Sequence, residues 1–128
     1  MKLNVKCVRS ILLEMEKQPL NEPLSFNALR KRLSGYDKDE VQYSCFKLYE
    51  AGYIDALKID VDNLPTPLFP YLNDITFAGH EFLNKVRDDT VFQKALGVAE
   101  KAGAFSLEIV SQAATAVLTQ WINGKFGM

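Results

Sequence analysis

At 128 residues, 48% hydrophobic and 24% charged, the chain has the composition of a folded domain with a real core, which excludes a disordered or low-complexity polypeptide. Fifteen basic residues against sixteen acidic ones leave a formal net charge of -1, so no global field draws nucleic acid and only a local patch could do so. Cys7 and Cys45 fall within apolar helical patterns and lack metal-ligand spacing; buried thiols of a reduced, cytoplasmic protein are expected, with a disulfide as the alternative.

Met1-Lys2-Leu3-Asn4 leads into a charged amphipathic segment rather than an apolar leader, so no signal peptide is expected. Val5, Val8, Ile11, Leu12 and Met15 recur at the spacing of one helix face, which predicts a first helix over about residues 3–17. Pro19 and Pro23 bound the loop that stops it. "PLSF" reads as a short extended piece and "NALRKRLSGY" as a short helix ending near Gly35. Asp37 with Glu40 resembles a capping box opening a third helix, "KDEVQYSCFKLYEAG", whose buried face carries Val41, Cys45 and Leu48 with Tyr49 at its edge. Gly52 suits the left-handed position that closes a helix.

"YIDALKIDV" alternates as a strand, with Ile54, Ala56 or Leu57, and Ile59 at its apolar positions. The stretch "DNLPTPLFPY" holds three prolines and is expected as an ordered loop, neither helix nor central strand, before a short returning strand at "YLNDI". Thr76 caps the next helix. Two further helices are predicted over about residues 89–102 and 106–123, hinged at Gly103. The fold class expected is mainly α with a small β-ribbon: a winged helix-turn-helix-like core over residues 1–87 and a C-terminal helical extension over residues 88–128, packed on it or on a second chain.

The element order, "LYEAGYIDA", "ITFAGHEFLNKVRDDTVFQKA" and the apolar helix opening at "AFSLEIV" together resemble the domain-of-unknown-function 2513 family of small phage- and prophage-encoded proteins. The resemblance covers nearly the whole chain. Phe77 and Phe92 stand where many relatives are expected to have tryptophan, which keeps the aromatic character. The resemblance implies a winged-helix-like N-terminal half and a phage-related origin, and it carries over no catalytic residue.

The chain's single histidine, His80, lies in "HEFLN". A zinc-protease helix needs two imidazoles one turn apart beside the glutamate, and Asn84 occupies the second position, so no metal site is expected. His80 and Glu81 have the residue types for acid–base work. No serine or cysteine nucleophile can be tied to them and no Gly-rich phosphate loop exists, so neither a catalytic residue nor a cofactor is assigned. Ile75, Ala78, Gly79, Phe82, Leu83 and Val86 are expected to form the buried face, leaving Phe77, His80, Glu81, Asn84 and Arg87 on the flank or outside. His80 is expected to fix this helix through a hydrogen bond, with partner recognition as its other role, and Gly79 to permit close backbone approach. Arg87, Asp88 and Asp89 complement the dipoles where one helix ends and the next begins.

In a winged helix the third helix enters the major groove. Here Asp37, Asp39, Glu40 and Glu50 outnumber Lys38 and Lys47, and the ribbon adds Asp60, Asp62 and Asp74 against Lys58. Such a face cannot supply the counterion release on which phosphate binding depends. Gln42, Tyr43 and Lys47, with His80, make the candidate recognition surface. Arg30, Lys31 and Arg32 are the candidate contacts to a nucleic-acid backbone.

Between Ala104 and Asn123 the only charge is Glu108; Ser111 or Gln112, Thr115, Thr119 and Asn123 trace a narrow polar stripe beside a wide apolar face. The stripe and the absence of flanking basic residues before it argue against membrane insertion. Self-association or a protein partner is expected to cover that face, with Ile109, Ala113, Val117 and Trp121 as the candidate oligomer interface. The function expected is a non-enzymatic, phage-related binding protein acting through protein contact; the alternative is a small dimeric winged-helix transcriptional regulator.

Overall fold

The computed structural model describes residues 1–125. Its elements run α1 (Val5–Glu16), β1 (Leu24–Ser25), α2 (Phe26–Arg32), α3 (Lys38–Glu50), β2 (Ile54–Ile59), β3 (Leu68–Ile75), α4 (Phe77–Val86), α5 (Asp89–Ala102) and α6 (Leu107–Lys125). The described chain is thus mainly helical, with one small antiparallel sheet in the order β1-β3-β2. It divides into two compact units, Met1–His80 and Glu81–Met128.

In the first unit, each helix starts on a side-chain cap that takes an otherwise orphaned backbone N–H. Asn4 Oδ1 accepts from Cys7 N at 3.2 Å, Ser25 Oγ from Ala28 N at 3.1 Å, and Asp37 Oδ1 from Glu40 N at 2.8 Å. The Glu40 carboxylate, expected to reach back to the Asp37 N–H in a capping box, instead accepts from Asn4 Nδ2 at 3.3 Å, which ties the start of α1 to the start of α3. Val8, Ile11 and Leu12 of α1, Leu29 of α2 and Val41, Cys45 and Leu48 of α3 are fully buried with Leu72 of β3. That burial of aliphatic side chains is the main stabilising term of the unit.

Helix α3 ends in a Schellman motif. Gly52, at φ 75°, donates to Tyr49 O at 3.0 Å, and Tyr53 N reaches back to Leu48 O at 3.0 Å. The chain then enters β2, where Ile54 and Ala56 point inward.

Strand β3 departs from the expectation for the proline-rich stretch. It begins at Leu68, includes Pro70 and is the central strand, rather than starting at Tyr71 after a loop. Two features accommodate a residue without an N–H there. The β2–β3 register shifts between the Leu57–Tyr71 and Ile59–Leu68 pairs, and two-residue β1 reaches only Tyr71 and Leu72. Pro70 therefore sits in a bulge with one side already uncovered.

In the second unit, Asp88 Oδ1 caps α5 by accepting from Val91 N at 2.9 Å, and Gly103, at φ 72°, closes it with a second Schellman motif. Helices α5 and α6 pack on each other. Phe92, Ala95 and Ala99 of α5 and Val110, Ala113 and Ala114 of α6 are buried, and the small alanine side chains suit close helix approach. Lys85 Nζ donates to Ser111 Oγ at 3.2 Å. Thr115 and Thr119 hydroxyls donate to the Ser111 and Thr115 carbonyls at 2.9 and 2.8 Å, so the polar stripe is partly satisfied by its own helix. No helix among the described residues is long and apolar enough to cross a membrane.

Candidate functional site

The basic run on α2 does not act as one cluster, because successive residues of a helix point about 100° apart. Arg32 turns toward α1: its guanidinium donates to Gln18 Oε1 at 3.2 Å and lies 3.8 Å from Glu14 Oε2. Arg30 and Lys31 remain exposed beside Asn27.

Arg30 instead joins Lys38 and Gln42, from the first turns of α3, around a groove of about 390 Å³. Phe26 and Tyr71 form apolar walls, with Phe69 and Leu68 also in its lining. Phe69 is almost fully buried, its ring 5.3 Å from Tyr49 and 6.3 Å from Phe46, so α3 holds this part of β3 in place. Gln42 Nε2 donates to Pro67 O at 3.4 Å, which directs the amide toward the start of β3.

The other residues of the expected recognition surface lie apart from Arg30. The Lys47 ammonium is 2.7 Å from Glu50 Oε1, and 5.3 and 5.1 Å from the Tyr43 and Phe46 ring centroids. Its hydrogen bond to Glu50 raises its pKa above the ordinary lysine value. Lys47 is therefore already engaged, and Tyr43 serves as one wall of its site. His80 is half-buried near the start of α4, and its backbone N–H donates to Thr76 O at 2.9 Å. No side-chain hydrogen bond to its ring occurs among the described residues.

The anchoring expected of His80 falls to its neighbours. Thr76 Oγ1 donates to Gly52 O and accepts from Gly79 N at 3.1 Å, while Thr76 N donates to Tyr53 O at 3.0 Å. Ala78, expected on the buried face, is exposed because it stands about 100° around the helix from Gly79. Phe77 is 81% exposed.

One feature escaped the sequence reading. Leu57, Ile59, Val61, Leu64, Leu68 and Tyr71 are all exposed along the β2–β3 hairpin. Ile54 and Ala56 take the inward face of β2, so alternation turns Leu57 and Ile59 outward together, and Lys58, the next inward position, is also exposed where the β2–β3 register shifts. The sequence cue is the odd-numbered spacing of Leu57, Ile59 and Val61, opposite in phase to Ile54 and Ala56.

On α6, Ala113 is buried, Ile109 and Val117 are half-buried, and Trp121 is 59% exposed. Val117 and Trp121 line a cleft of about 590 Å³ with Val91 and Lys94 of α5.

Among the described residues no three His, Cys, Asp or Glu side chains come together as metal ligands would. Cys7 and Cys45 are free and buried. Burial pushes both thiols above their ordinary value; the Ser44 hydroxyl partly offsets this at Cys7, and at Cys45 the nearby Cys7 adds to it. Protonated, enclosed thiols are poor nucleophiles.

No solved structure matches this chain. An "Uncharacterized protein" of Haemophilus influenzae is 32% identical over 123 residues, covering 95% of this chain and 99% of the relative. The model of the family described as "Hypothetical protein (DUF2513)" matches residues 2–105. That match takes in the Gly52–Tyr53 turn, the groove, the hairpin and the Thr76–Gly79 helix start, and the chain belongs to this family.

Proposed function

We propose that this is a non-enzymatic binding protein, built on a winged helix, that contacts another protein through its β2–β3 hairpin. The winged-helix reading draws support from the order helix, strand, helix, helix, hairpin and from β1 pairing with the returning strand β3. The observation that carries the protein-contact reading is the character of the hairpin. It exposes Leu57, Ile59, Val61 and Leu64, and its one cation, Lys58, lies 3.7 Å from Asp60. Exposed apolar side chains gathered on one hairpin favour a protein surface. A hairpin gripping phosphates would instead present unpaired cations.

The test replaces Leu64 with a photo-crosslinking residue in the full chain, in cells that carry the protein. The expected result is a covalent protein adduct that survives nuclease and disappears when Leu57→Ser and Ile59→Ser are added. Adducts to nucleic acid alone, with salt-dependent retention of the purified chain on duplex DNA, would overturn the reading in favour of a DNA-binding regulator. We further propose that α6, whose apolar face continues to Trp121 and Ile122, brings two copies together.

A further inference from the structure

We propose that the groove between α2, the start of α3 and β3 receives an acidic, extended segment of a partner protein, whose carboxylates meet Arg30 and Lys38 while an adjacent apolar side chain rests on Phe26 and Tyr71. The inference rests on the protein-contact reading and goes beyond it by giving the partner's chemistry.

Charge is the first argument. The groove lining includes two cations and no carboxylate. Lys17, Arg32, Lys47 and Lys58 each lie within reach of an acidic side chain, whereas among the described residues neither Arg30 nor Lys38 has an ion-pair partner. Asp37 and Asp39 flank Lys38 in sequence, but neither lines the groove, and the Asp37 carboxylate is turned to Glu40 N. A guanidinium and an ammonium converging from two helices complement carboxylates placed on alternate residues of a strand.

Size and the strand edge settle the shape of the occupant. At about 390 Å³ the groove holds one or two side chains rather than a whole helix, being near the lower end of the roughly 300–1,000 Å³ span of ligand pockets. It runs beside β3 where β1 has ended, so Leu68–Pro70 is uncovered on that side. Pro70 has no N–H to offer a continuous ladder. Recognition there falls on side chains, with the segment extended alongside.

A nucleic-acid backbone would also attract the two cations. It would carry its charge past Asp37, Asp39, Asp60 and Asp62, all exposed on this unit, whereas a short acidic segment meets the groove alone.

The experiment uses the full chain, isotopically labelled for NMR, and a fluorescein-labelled peptide alternating Glu with Leu and Phe. A control peptide has Gln in place of every Glu. The acidic peptide is expected to bind and to move the signals of Phe26, Arg30, Lys38, Gln42, Leu68 and Tyr71. Arg30→Glu and Lys38→Glu are each expected to weaken binding about tenfold, the scale of one charge-assisted hydrogen bond. Both positions are exposed, so the unfolding midpoint should hold, and the wild-type signal map is independent of either variant. Equal binding of the Gln peptide, no binding at millimolar concentration, or signal changes confined to other residues would overturn the proposal. If the peptide fails while the Leu64 crosslink still captures a protein, the groove inference falls alone. If duplex DNA moves the groove signals and no protein is captured, both readings fall.

Discussion

Gly79 lies so close to Tyr53 that a Cβ at position 79 would run into the Tyr53 carbonyl oxygen and come within 2.7 Å of Ile75 Cγ2. The same carbonyl accepts the Thr76 N–H, and Gly52, one residue before Tyr53, is the glycine that closes α3. The end of one helix and the start of another are thereby locked through four residues, Gly52, Tyr53, Thr76 and Gly79. Two stretches of the chain that look like separate signatures are the two sides of this one joint.

Gly79→Ala should therefore destabilise by about 1–3 kcal/mol, the cost of forcing an extra methyl into a packed site against backbone that cannot swing away. Gly97, in the middle of α5, meets nothing within 4 Å. Gly97→Ala should stabilise by up to about 1 kcal/mol through helix propensity. Opposite shifts of the urea midpoint would bear out the contrast, and equal shifts would refute it.

At the same joint, Thr76→Val removes both the cap of α4 and the bond to Gly52, for an expected loss of about 1–2 kcal/mol. His80→Ala should cost less than about 0.5 kcal/mol, because no hydrogen bond of its ring among the described residues is lost. A hydrogen-bonded His80, as the sequence leads one to expect, would instead cost about 1–2 kcal/mol on truncation. Denaturant unfolding of the two variants side by side decides which residue anchors the helix.

The misplacement of that anchor shows where the sequence is legible. Periodic burial is local, so the core faces of α1 and α3 follow from Val5, Val8, Ile11 and Leu12, and from Val41, Cys45 and Leu48. The close approach at Gly79 was also foreseeable, since a glycine early in a helix invites a backbone neighbour. What local patterns cannot carry is pairing across the chain. The role of Thr76 depends on Gly52, and the place of Pro70 depends on how short β1 is. The division of Arg30 from Arg32 depends on Glu14 and Gln18, which stand on the other side of a loop. The groove, assembled from Phe26, Lys38 and Tyr71, was unreadable for the same reason.

The thiols give a prediction about alkaline pH. Burial raises Cys7 and Cys45 above their ordinary value of 9.0, so the folded state keeps protons that the unfolded chain releases. The stabilisation from the neutral thiols is complete below about pH 9 and is lost as pH climbs from that value toward the raised folded ones. Cys7→Ala should flatten this part of the pH–stability curve. A thiol reagent should label the native protein far more slowly than the urea-unfolded one, and equal rates would contradict the burial.

Helix α6 offers the sharpest separation between a self-contained unit and one completed by a second copy. Ala113 and Ala114 are buried beside α5, so Ala113→Glu should unfold the second unit, because a carboxylate left unpaired in an apolar interior costs several kcal/mol. Ile122, further along the helix and 42% exposed, has no such burden in a single chain. If two copies meet along this end, the same patch faces itself across a two-fold axis, and Ile122→Glu brings two like charges together in a desolvated contact. The expected result is a mass that halves by light scattering while the far-UV helical signal and the unfolding midpoint of each chain persist. Val117, half-buried in the cleft with Val91, should give an intermediate outcome, since a charge there disturbs both the helix pair and the second copy. A wild-type protein that already has the mass of one chain at high concentration, with Ile122→Glu indistinguishable from it, would leave α6 as a helix that serves only its own unit.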